Sequence, residues 1–116
     1  MAEQSKISHQ YGGNYHILNN AFLSSLLAKL GHPETTQPTV TEYLHRAYDF
    51  LFAKAINEQF PLKLERTPTR MREVDEKTGY IEARLLTSQT SAVCVSLARA
   101  GIFPSQICYQ TLNYVL

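Results

Sequence analysis

The run Ser91-Ala92-Val93-Cys94-Val95-Ser96-Leu97 constrains this chain more than any other segment. A short apolar run with β-branched residues reads as a strand buried on both faces, and strands of that kind belong to parallel sheets. Each parallel neighbour requires a crossover of about a dozen residues or more. After the run, the sequence holds the turn Ala98-Arg99-Ala100-Gly101 and a helical segment from Phe103 to Leu116. The expectation is that residues 91–116 form the first βα unit of an incomplete α/β core whose other strands lie outside these residues.

The rest of the composition fits that scale. With 116 residues and 44% hydrophobic residues, the chain has material for one compact domain or part of one, not for two independent cores. Eleven Lys and Arg against ten Asp and Glu leave a formal charge of +1, so no global field argues for nucleic acid or an anionic membrane as partner. The longest apolar runs fall short of the ~20 residues a spanning helix needs. The start, Met1-Ala2-Glu3-Gln4-Ser5-Lys6, lacks the order of an export signal, which places the expected location in the cytoplasm. There Cys94 and Cys108, each among apolar neighbours, are expected as small buried hydrophobes and not as a disulfide.

Three further segments precede that βα unit. Residues 1–14 are polar, contain Gly12-Gly13 and show no period, so they read as a flexible or loosely draped arm. Residues 15–60 read as a helical pair. Asn19 or Asn20 caps the first helix, Phe22, Leu23, Leu26, Leu27 and Leu30 form its buried face, and Gly31 supplies a left-handed stop. Thr39 with Glu42 makes a capping-box pattern for a second helix from Val40. Its buried stripe is Leu44, Ala47, Tyr48, Leu51, Phe52 and Ala55, with Tyr43, Phe50 and Phe60 off the stripe and Pro61 ending the helix. In residues 61–86 the period becomes two, with Glu76-Lys77-Thr78-Gly79 as the turn signal of a β-hairpin with a charged tip.

Little in this pattern carries chemistry by spacing alone. His9, His16, His32 and His45 are scattered, with no pair at the i, i+4 separation that would place two ligands on one helix face, so no metal site is expected. Lys63, Arg66, Arg70 and Arg72 are interrupted by Glu65, Glu73, Asp75 and Glu76, which reads as a solvated hairpin face and not as a nucleic-acid edge. The turn after the expected strand carries more weight. Ligands of parallel α/β sheets bind beyond the carboxyl ends of strands, and backbone amides, an arginine and a helix start there make an anion site. The same residues also suit a tight turn relieved by Gly101 with Arg99 in solvent, and spacing does not separate these readings.

Order along the chain adds a resemblance. Tyr15-His16-Ile17-Leu18 leading into Phe22 to Leu30, then Phe50-Leu51-Phe52-Ala53-Lys54-Ala55 with Phe60-Pro61-Leu62, the charged hairpin, and Val93 to Gly101 together resemble the N-terminal half of a uracil phosphoribosyltransferase. The resemblance covers the whole organised chain. It implies that the Arg-Ala-Gly turn holds the pyrophosphate of phosphoribosyl pyrophosphate (PRPP), often through an unusual cis peptide, which assigns substrate binding to Arg99, Ala100 and Gly101. It implies transfer of phosphoribosyl to uracil to give UMP, with magnesium accompanying PRPP. The acidic phosphoribosyl loop and the uracil-reading loop of the family do not occur within residues 1–116. No catalytic residue is therefore assigned here, and the chain alone is expected to be inactive. After Gly101 the family continues with Met and Gly, whereas this chain has Ile102-Phe103-Pro104-Ser105, which leaves the base substrate open. The partners implied are PRPP, uracil, and either a second copy or a complementing C-terminal polypeptide. The alternative is a non-catalytic module derived from that family, dimerising through Tyr109, Tyr114, Val115 and Leu116.

Overall fold

A computed structural model describes residues 5–116. Among the described residues the chain is a mixed α/β protein of three helices and two small antiparallel sheets. In chain order these are β1 (Lys6–Ile7), β2 (Ile17–Leu18), α1 (Ala21–Leu30), α2 (Thr39–Gln59), β3 (Leu62–Pro68), β4 (Tyr80–Leu86) and α3 (Ile102–Val115). They divide into two compact units, residues 1–50 and 51–116, with the boundary inside α2. No helix of the described residues is long and apolar enough to cross a membrane.

In the first unit, β1 pairs antiparallel with β2, Lys6 opposite Leu18 and Ile7 opposite Ile17, and the Asn19 amide donates to the Ser5 carbonyl. The segment expected as a flexible or loosely draped arm, residues 1–14, thus contains one short strand, β1; residues 1–4 lie outside the described residues. The connection is organised by His9. Its Nδ1 accepts the Tyr11 amide, its Nε2 contacts the Tyr15 carbonyl, and the rings of Tyr11 and Tyr15 pack 5.4 and 5.3 Å from it. Gly12, at φ 104°, occupies the left-handed region that a side chain resists.

The first helix begins where its cap predicts. The Asn20 side chain accepts the Leu23 amide, and Leu23, Leu26 and Leu30 are half-buried. Phe22 and Leu27, expected on the same face, stay 59% and 52% exposed, although the Phe22 ring meets Phe50 at 6.1 Å. The helix end also differs from expectation. Gly31 is right-handed, φ −81°, and the termination comes from hydrogen bonds instead: the Gly31 amide donates to Leu27 and the Thr35 hydroxyl to the Lys29 carbonyl. At the start of α2, Gln37 takes the role expected of Thr39, accepting both the Thr41 amide and its hydroxyl, so the helix begins one residue early.

In the second unit the buried side chains are Ile56 from α2 and Ile107 and Leu112 from α3. The end of α2 is rotated from its expected stripe. Leu51 and Ala55 are exposed, and Phe52, Ile56 and Phe60, spaced by four, make the inward face. The hairpin forms as read, with Leu62 opposite Leu86 and Pro68 opposite Tyr80. Neither face is covered within the unit, since Leu64 and Ile81 project on opposite sides at 69% and 56% exposure. Arg66, one of the interrupted basic residues, lies over the Tyr80 ring at 3.9 Å.

The hairpin tip depends on a glycine. A Cβ at Gly79 would lie 2.2 Å from the Arg72 Cα and 2.8 Å from the Asp75 carbonyl oxygen, both backbone atoms with little room to move. The Gly79 carbonyl also accepts the Thr69 amide and hydroxyl. Gly79→Ala is expected to cost about 1–3 kcal/mol, read as a lower urea midpoint with an unchanged m-value. Nearby, the Lys77 amide and then the Thr78 hydroxyl hold the Asp75 carboxyl below the usual carboxylate range. A depressed folded pKa stabilises the tip above the ordinary carboxylate value, and that contribution disappears as pH falls through the depressed one.

Residues 91–97 differ most from expectation. Both sheets of the described residues are antiparallel pairs, and this run has no strand pairing within them. Val93, Val95 and Leu97 are 78 to 88% exposed, while Cys94 is half-buried. A strand exists only by hydrogen bonding to a neighbour, and no described segment offers its edge to this run.

Candidate functional site

The turn that joins this run to α3 holds all three sequence-assigned residues, Arg99, Ala100 and Gly101. Two inward hydrogen bonds close it: the Gly101 amide donates to the Leu97 carbonyl at 2.8 Å and the Ile102 amide to the Arg99 carbonyl at 3.1 Å. The Ala98–Arg99 peptide bond is cis. Gly101 is needed here for space and not for an unusual φ. It sits at φ −75°, yet a Cβ there would lie 2.4 Å from the Leu97 carbonyl oxygen and 2.9 Å from the Leu97 nitrogen.

Closing the turn inward leaves donors on the outside. The amides of Arg99 and Ala100 have no acceptor among the described residues, and both residues are exposed. α3 starts immediately afterwards with no side-chain cap and no acidic residue in its first turn. The partial positive charge of that helix end is therefore not met by a carboxylate of its own first turn. Two uncommitted amides, a guanidinium and an uncapped helix start on consecutive residues gather donors on one turn, chemically suited to a multiply charged anion such as a pyrophosphate.

Sequence reasoning found this turn but missed what lies beneath it. Cys94 and Cys108 line one groove of about 390 Å³ together with Phe60, Val95, Pro104 and Leu112. The two thiols interact across it. Partial burial pushes the Cys108 thiol up from its ordinary range, and negative charge on the Cys94 sulfur pushes it further the same way. Each cysteine follows an apolar pattern in its own segment, and only tertiary packing brings them together.

The four histidines remain dispersed, and among the described residues no three His, Cys, Asp or Glu side chains gather where they could hold a metal. His45 pairs with Asp49 at 3.3 Å on the surface of α2. No protein-family model, curated protein or solved structure matches this chain.

Proposed function

We propose that this chain is the N-terminal part of a cytoplasmic pyrimidine-salvage phosphoribosyltransferase, acting on the magnesium complex of PRPP and on uracil to give UMP and pyrophosphate. The single observation that carries the reading is the turn at residues 98–101, closed by two hydrogen bonds, with the Arg99 and Ala100 amides left over and an uncapped helix directly after it. Within it, Arg99 offers two parallel donors to the pyrophosphate, and the Arg99 and Ala100 amides add shorter-range hydrogen bonds. Gly101 keeps the backbone tight enough for the ligand to approach.

Phosphoribosyl transfer builds positive charge on the sugar and negative charge on the departing pyrophosphate. Fixed donors placed on the leaving group lower that barrier without reorganising during the reaction. The magnesium enters with the substrate, consistent with a turn that supplies donors and no carboxylate. The exposed run at residues 91–97 is, on this reading, the first strand of a parallel sheet completed by another polypeptide segment that carries the phosphoribosyl cradle.

The expected binding profile is specific. This chain should bind pyrophosphate and PRPP with similar, weak affinity, Kd on the order of 1 mM, because both present the same group to the same turn. Ribose 5-phosphate should not bind. Saturation-transfer NMR with the three ligands in magnesium buffer tests this. Tight PRPP binding, or ribose 5-phosphate binding without pyrophosphate binding, contradicts the assignment.

The exposure of Tyr114 and Tyr109, 87% and 59%, favours a second reading as a dimerising module without catalysis. That reading expects a defined homo-oligomer in sedimentation and no pyrophosphate affinity.

A further inference from the structure

We propose that Cys94 and Cys108 are a dithiol modification site, oxidised by low-molecular-weight disulfides of the glutathione class to a reversible intramolecular bridge. Both cysteines line one groove, and their side chains influence each other there, so a bridge would join two groups that already face a common space. Both residues are half-buried, which leaves the groove open to a small reagent. Cys94 belongs to a run with no strand pairing among the described residues, whereas Cys108 sits in the middle of α3. The two partners thus sit in different kinds of segment, and a bond between them would tie the unpaired run to the helix.

The chemistry balances without a further reagent. The Cys94 thiolate attacks one sulfur of the external disulfide, forming a mixed disulfide and releasing one thiolate. The Cys108 sulfur, adjacent to it, gives up its proton and attacks the Cys94 sulfur, expelling the second thiolate. Two protein thiols are oxidised, one external disulfide is reduced to two thiols, and the two protons end on those products. The bridge closes a ring around residues 98–101 without depending on what that turn binds.

The test uses the full chain with excess oxidised glutathione, followed by intact-mass and non-reducing peptide mapping. The expected product is a monomer lighter by two hydrogen atoms, with Cys94 and Cys108 peptides linked, and a thermal midpoint raised by on the order of 10 °C. Dithiothreitol should reverse all three changes. Cys94→Ser and Cys108→Ser should each stop at a stable glutathione adduct on the remaining cysteine. The proposal is overturned if the wild-type chain carries glutathione on both cysteines, cross-links between chains, or keeps both thiols under conditions where the urea-unfolded chain loses them.

Discussion

Ile107→Ala is expected to destabilise the second unit by about 2–5 kcal/mol, enough to leave much of it unfolded at room temperature. Ile107 is the most buried side chain of the described residues, 2% exposed, followed by Ile56 and Leu112 at 6% and 8%. With so few interior side chains, neighbouring groups have little apolar material with which to fill the space left by the lost methylene groups. The cavity contribution should therefore remain nearly whole. Leu64→Ala, in the same unit but 69% exposed, should move stability by less than about 0.5 kcal/mol. Urea unfolding followed by circular dichroism measures both. Equal effects of the two substitutions would mean that the interior does not lie along α3.

Gly101→Ala should cost about 1–3 kcal/mol and should act on binding as well as on stability. The added methyl group would stand 2.4 Å from the Leu97 carbonyl oxygen, the atom that accepts the Gly101 amide. Relief requires the turn to open, and opening it breaks the hydrogen bond that turns the Gly101 amide inward. The Arg99 side chain would survive unchanged while losing its position against the helix start. Pyrophosphate affinity should fall by about tenfold or more, the equivalent of about 1.4 kcal/mol. Gly31→Ala is the contrasting control, because a Cβ there would make only ordinary contact with the Leu27 carbonyl oxygen at 3.5 Å. It should leave pyrophosphate affinity unchanged. A Gly101→Ala chain that binds pyrophosphate as the parent does would show that the tight turn is not needed for the ligand.

What could be read from residues alone was local. Asn20 announces the start of α1 because its side chain meets an amide three positions on, and alternation in residues 62–68 and 80–86 announces the hairpin because both strands pair through a near turn. The arm was illegible since β1 and β2 are two residues each, too short for periodicity, and His9 organises their connection through contacts with Tyr11 and Tyr15 that no pattern encodes. Ile56 was displaced from the expected stripe because Leu51 and Ala55 match a helical period equally well, and only the position of α3 decides which side is inward. The run at residues 91–97 has the composition of an interior strand, but composition cannot provide the neighbour that a strand requires. In the candidate site, Arg99, Ala100 and Gly101 were legible as a group, whereas the free amides and the Cys94–Cys108 contact are products of tertiary geometry.

The most direct measurement is an amide NMR titration of the chain with magnesium pyrophosphate, repeated on Arg99→Gln and Arg72→Gln. Pyrophosphate should shift the Arg99 and Ala100 amides and those opening α3, with the response abolished by Arg99→Gln and retained in Arg72→Gln. Shifts centred on the hairpin basic residues, or a response indifferent to Arg99, would contradict a leaving-group site at this turn.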